Sequence, residues 1–309
     1  MEIKRREFLR TSLAGLGGAV AVGSAQRSVL AQETPKQEIS TDPFELVQLT
    51  PTIKASRIGL GTGMAGYNQS STLTRMDRNN AIKVINHCYD VGVRFFDCAD
   101  LYGTHDLISS TLKDKPRDSY VLSSKIWLHN GGIKDEDRQP VRETVMRFLK
   151  EMRTDYIDLV QLHCMMKPDW ANDFQDQAEE LEKLKKEGLI RGHGVSCHSI
   201  GAIQTAAENP WVDAIHIRLN HTGYRMEGSA EENIEASKKA HANGKGILCM
   251  KIMGEGTYKE LEERRKSVDF VARAQIVDVY VVAFEQVEHV DEFVDNLRSS
   301  LEALKAEQA

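Results

Sequence analysis

From residue 56 onward, short apolar and β-branched runs alternate with longer segments whose apolar positions recur every three or four residues. The runs at 58–60, 94–99, 120–126, 157–163, 192–197, 214–219, 246–252 and 279–284 predict strands. Helices are predicted between them at 79–91, 105–113, 139–152, 174–187, 200–209, 230–243, 258–274 and 288–304. Strict strand–helix alternation demands parallel strands joined by right-handed crossovers, and eight such units can close on themselves. The expected fold is therefore α/β, a single-domain (β/α)8 TIM barrel over 56–309, with 32–55 as an extended lead-in. An open doubly wound sheet would show the same alternation. Against it, no G-x-G-x-x-G follows the first strand, where Gly59-Leu60-Gly61-Thr62-Gly63 has a different spacing.

The first 31 residues follow another logic. Lys4-Arg5-Arg6-Glu7-Phe8-Leu9-Arg10 precedes an apolar, Gly/Ala-rich stretch at 11–25 that lacks acidic residues, and Ala31 follows as a small residue suited to cleavage. Such an order describes a cleavable signal peptide. The paired arginines before Phe8 and Leu9 match the twin-arginine (Tat) export motif, an address and not an anchor. The apolar stretch is too short and too Gly-rich for a good spanning helix, so stable membrane anchoring is not expected. Residues 1–31 are thus expected to be removed, the Tat machinery to be a partner, and the mature chain to be periplasmic or otherwise exported.

Composition narrows the functional classes. Hydrophobic residues make up 41% and charged residues 28%, with a mean hydropathy of −0.42, which suits a soluble globular chain with a sizeable core. The formal net charge is −6 and no basic stripe stands out, so nucleic-acid binding lacks electrostatic support. Cys88, Cys98, Cys164, Cys197 and Cys249 form no CxxC pair and no zinc-like spacing, and no metal is expected. All except Cys197 are expected to pack as small hydrophobes.

In a barrel, chemistry belongs at the C-terminal ends of the strands. There the second strand runs into Phe96-Asp97-Cys98-Ala99-Asp100-Leu101-Tyr102-Gly103, the third ends at Lys125 and the fourth at His163. A phenol titrating near ~10 is a poor acid at neutral pH, but a neighbouring ammonium would lower that value. A buried Lys needs a counter-charge, which Asp97 can give. An imidazole can hydrogen-bond a carbonyl oxygen as it gains negative charge. At these residues the chain resembles the aldo-keto reductases: Asp97, Tyr102, Lys125 and His163 match that family's catalytic tetrad in order and strand placement. The similarity runs from about residue 58 to 304. It implies Tyr102 as proton donor, tuned by Lys125 and Asp97, His163 as the group orienting the carbonyl, and hydride transfer to or from a nicotinamide.

The same resemblance extends to the cofactor. Gly194-Val195-Ser196-Cys197 is similar to the family's Gly-Val-Ser-Asn, whose Ser and Asn hold the carboxamide; here Cys197 stands for Asn. His216 replaces the usual Gln, and the segment 250–256, with Lys251, Met253 and Gly254, looks like the loop covering the pyrophosphate. The segment after the last strand, 283–292, carries no Lys or Arg, and only His289 falls near the usual Arg. NADP and NAD both remain open as cofactor. Tyr67, Trp127, His129, Met165, Met166 and Tyr224 are candidates for an apolar mouth taking a small carbonyl or alcohol. The alternative is a catalytically weak exported barrel acting as a ligand-binding or regulatory protein.

Overall fold

A computed structural model describes residues 39–309, so the expected signal at 1–31 lies outside the described residues. It opens with an antiparallel hairpin, β1 (Leu46–Thr50) and β2 (Ile53–Ser56). The barrel strands are β3 (Ile58–Gly61), β4 (Phe95–Asp97), β5 (Val121–Trp127), β6 (Ile157–Met165), β7 (Ile190–Cys197), β8 (Ala214–Arg218), β9 (Gly246–Met250) and β10 (Val279–Val282). All neighbours among them pair in parallel, and the sheet closes in the order β10-β3-β4-β5-β6-β7-β8-β9. Helices α1 (Thr72–Arg75), α2 (Arg78–Val91), α3 (His105–Thr111), α4 (Val141–Met152), α5 (Trp170–Asp173), α6 (Gln175–Lys186), α7 (Ile200–Glu208), α8 (Ala230–Ala242), α9 (Leu261–Ala274) and α10 (Val287–Gln308) fill the connections. The closed barrel expected from the alternation is what the chain forms.

Local chemistry explains the shifts at helix ends. α4 begins at Val141 because Pro140, in an extended conformation, serves as its N-cap. Ser199 caps α7 by accepting from the Ala202 amide, and Ser229 with Glu232 forms a capping box on α8.

Successive strand residues point to opposite faces. One set, including Cys98, Ile126, Leu162, Val195, Cys197, Ile215 and Ile247, joins the apolar layer between strands and helices. The other set points into the barrel. At the strand N-termini this interior is apolar: Phe95, Val121, Leu159, Ala214, Leu248, Val279 and Val281 meet Leu49, Ile53 and Ala55 of the hairpin. Part of the expected lead-in is therefore a paired plug. Its seat is tight, since a Cβ on Gly246 would stand 2.1 Å from the Leu49 carbonyl oxygen. Further along the same inward columns come Asp97, Lys125, His163, Ser196 and His216, all buried. Among the described residues, no helix is long and apolar enough to cross a membrane.

Candidate active site

β4 delivers Asp97 to the barrel mouth, and a 3-10 turn at Asp100–Tyr102 follows at once. Arg147 of α4 pins that turn by donating to both Asp100 oxygens at 3.0 Å. The Tyr102 ring then lies against Gly63, where a Cβ would meet it at 2.2 Å; the spacing noted after the first strand makes room for this phenol. Lys125 reaches from β5, and its Nζ donates to Asp97 Oδ1 (2.5 Å), Asp97 Oδ2 (2.7 Å) and the Cys98 carbonyl (3.1 Å). All three ammonium donors are thereby satisfied inside the barrel. His163, at a register irregularity in β6, puts Nε2 3.4 Å from Tyr102 Oη with the rings edge to face. His129 braces this strand end through the carbonyls of His163 (3.1 Å) and Cys164 (2.9 Å). The four tetrad candidates are thus brought together.

Electrostatics departs from the sequence expectation at Tyr102. Burial, with the Asp97 charge adding to it, pushes the phenol well above its ordinary value instead of lowering it. The reason is geometric: the Lys125 charge is matched by both Asp97 oxygens, and Nζ sits 5.2 Å from the Tyr102 ring centroid. Tyr102 is therefore a protonated phenol across the neutral range. Burial, helped by Lys125, holds His163 well below the usual imidazole range, so it is neutral; its Nδ1 finds no hydrogen-bond partner in the protein.

The cofactor candidates divide. Ser196 points inward, but its Oγ already accepts from the Cys164 amide at 2.8 Å. Cys197 is not brought to the mouth. The strand's alternation turns it into the outer apolar layer, fully buried, where burial pushes its thiol well up. His216 lies deep in the barrel, Nε2 3.4 Å from Asp97 Oδ1, and is kept neutral by burial. Lys251 and Met253 do line an open cleft of about 780 Å³ that starts at Asp97 and Tyr102 and runs along β9, β10 and Gly61–Met64. Gly254 is the buried, positive-φ residue between the cleft-lining Met253 and Glu255. Of the mouth candidates, Trp127 and His129 pack near His163, Tyr67 and Met166 are exposed, and Met165 faces the outer layer.

A second groove of about 760 Å³ shares Met253, Gly256, Val282, Ala283 and Glu285 with the first and adds Lys259, Arg264 and His289. The two adjoin through these shared residues at the ends of β9 and β10. Sequence reading missed Lys259 and Arg264 because they precede and begin α9 instead of following β10. Arg264 is itself bound by Glu292 at 2.6 and 2.8 Å, which ties up one carboxylate of the acidic segment.

Comparisons with known proteins follow the same outline. A family model described as "Aldo/keto reductase family" matches residues 57–305. Aldo-keto reductase YhdN of Bacillus subtilis is 33% identical over 218 residues, 67% of this chain and 64% of that protein, so the match spans under two thirds of that relative. D-threo-aldose 1-dehydrogenase of a Pseudomonas species is 23% identical over 240 residues, 68% of this chain and 72% of its own. A solved protein of Pseudomonas aeruginosa described as a "putative aldo-keto reductase" aligns with TM-score 0.68 at 24% identity, covering 86% of this chain and 99% of the other. One from Klebsiella pneumoniae, in complex with NADPH, gives TM-score 0.62 at 19% identity over 84% and 94%. Both structural likenesses bear on the barrel fold.

Sequence reading also passed over Arg218, His198 and Glu227. Arg218 ends β8 on the inward column; Nη1 lies 3.1 Å from Glu227 Oε1, and Nη2 donates to His198 Nδ1. Neither Glu227 oxygen is in a hydrogen bond, and burial raises its carboxyl to about 7 despite Arg218. A carboxyl raised in the folded state stabilises fully only below its unfolded value and loses that contribution as pH rises through about 7. Urea unfolding of the wild type and Glu227→Gln at pH 4 and pH 8 tests this. The wild type should weaken relative to the variant by up to roughly 3 kcal/mol between the two. A constant difference would show that Glu227 titrates as in the unfolded chain.

Proposed function

The chain belongs to the aldo/keto reductase family, whose model spans residues 57–305, and from that premise we propose an NAD(P)-dependent oxidoreductase acting on a small carbonyl–alcohol pair. One observation carries the reading: a buried phenol, a neutral imidazole and an ammonium–carboxylate pair converge at a cleft lined by Asp97, Tyr102 and the segment 250–253. That convergence favours an enzyme over the binding-protein alternative.

When bound, the nicotinamide would supply or accept the hydride. The remaining work falls to the chain. Tyr102 Oη holds the proton to be given to the carbonyl oxygen. An alkoxide is a far stronger base than a phenolate, so the transfer stays downhill even from a buried phenol. With the Lys125 charge matched by Asp97, it is the charge of Arg218 that favours the phenolate that remains. His163 Nε2 faces the same point and orients the carbonyl oxygen by hydrogen bonding. The cofactor is NADP or NAD. Lys259, Arg264 and His289 favour a 2′-phosphate, while Glu285 and Glu292 in the same groove oppose it; the Klebsiella relatives are solved with NADP and NADPH.

The reading includes export by the twin-arginine route, on the strength of Arg5-Arg6 and the following apolar stretch. A dinucleotide captured during cytoplasmic folding and kept through export would supply a compartment that has no free pool.

The chain from residue 32 onward, titrated with NADPH and then NADH, should bind one or both at micromolar concentration or below. Tyr102→Phe should keep that binding and lose about 10²–10⁴-fold in kcat for carbonyl reduction; undiminished turnover would remove Tyr102 from the role. For export, cell fractionation should find the full-length protein in the periplasm and its Arg5→Lys/Arg6→Lys variant in the cytoplasm. Equal distribution of the two would contradict the twin-arginine route.

A further inference from the structure

The mouth of the barrel has two halves. The cleft occupies the half framed by β3, β4, β9 and β10. The other half, at the ends of β5 to β8, presents Trp127, His129, His163, His198 and Arg218. Arg218 stands two residues beyond His216 on the inward column of β8, between the strand that leads to His198 and the cleft-lining Met250 of β9, so it sits where the two halves meet. It is close enough to Tyr102, His163 and Cys164 for its charge to act on all three.

A cation at this place needs an account, because packing alone would be met by an apolar side chain. A structural Arg in a buried site normally has its fork filled by a carboxylate. Arg218 does not. Nη1 donates to the Arg225 carbonyl at 2.9 Å and only approaches Glu227; Nη2 donates to an imidazole; Nε is buried without a hydrogen-bond partner. Its side chain keeps 15% exposure, while the Glu227 side chain keeps 3%. Lys125 and Lys251 are each taken by a well-placed acid, Asp97 and Glu255. The guanidinium thus meets its acid through one nitrogen alone, out of hydrogen-bonding geometry, and keeps a partly exposed edge at the mouth. His198, whose Nδ1 accepts from Nη2, fixes the direction of the fork.

We propose that Arg218, oriented by His198 and Glu227, selects carbonyl substrates that also carry a carboxylate. The inference rests on the reductase reading and names its substrate class: aldehyde or keto acids, and their hydroxy-acid products in the reverse direction. The substrate carboxylate meets the partly exposed edge of the guanidinium, and its carbonyl then lies toward Tyr102 and His163.

The test uses matched pairs differing only in charge: glyoxylate, 4-oxobutanoate and 4-carboxybenzaldehyde, each against its methyl ester, with NADPH or NADH. In the wild type at least one acid should exceed its ester in kcat/KM by about tenfold to a hundredfold, the range for added charge-assisted hydrogen bonds. In Arg218→Gln that ratio should fall toward one, and Arg218→Lys should keep part of it. Since Arg218→Gln strands a buried Glu227, the double variant Arg218→Gln/Glu227→Gln is measured beside it, with nucleotide titration reporting a folded barrel. Ester turnover without acid preference in the wild type, or a preference surviving in both Gln variants, overturns the assignment and leaves the reductase reading standing. No turnover of any acid or ester overturns the reductase reading and this inference together.

Discussion

The Lys125–Asp97 pair is the constraint around which the mouth is arranged. Both side chains are almost fully buried, at 1% and 6% exposure, in a barrel whose lower interior is hydrocarbon. Removing one partner of such a pair strands a charge and costs about 3–5 kcal/mol. The surroundings answer that demand: Nζ makes three hydrogen bonds, and a neutral His216 approaches Asp97 from below. The pair cannot be exchanged for packing without giving up the cation that stands 5.2 Å from the Tyr102 ring centroid. A site with a protonated phenol beside a matched ion pair follows from that choice.

The rest of the barrel divides its labour by strand parity. Outward positions form a continuous apolar layer under the helices. Inward positions are apolar where the hairpin plugs the strand N-termini and polar where the strands end. The hairpin thus closes the strand N-termini, and at the other end Arg218 of β8 adjoins the cleft along β9 and β10 through its strand partner Met250.

The fold was largely legible, because amphipathic helices and apolar strands leave periodicities that survive without any contact information. Asp97, Tyr102, Lys125 and His163 were legible because each lies at or just past a strand end. What escaped depended on three-dimensional facts. The hairpin interleaves Gln48 and Lys54 with its apolar residues and reads as loose chain. Cys197 was placed by its resemblance to the Asn of Gly-Val-Ser-Asn, yet it stands one residue beyond the inward Ser196, and one residue along a strand reverses the face. The direction of the Tyr102 shift is set by burial and by how completely Asp97 matches Lys125. Arg218 and His198 are 20 residues apart and meet only because β7 and β8 are adjacent. Lys259 and Arg264 reach the groove from the far side of the loop after β9.

The central claim is that this mouth moves hydride between a nicotinamide and a carbonyl carbon. Its most direct test supplies the protein with NADPH deuterated at C4 on either face, together with a carbonyl panel, and locates the label by mass spectrometry. The account predicts deuterium on the carbinol carbon of the product from one of the two labelled faces and not the other. Product formed without label from either face, or no product with nucleotide bound, would contradict it.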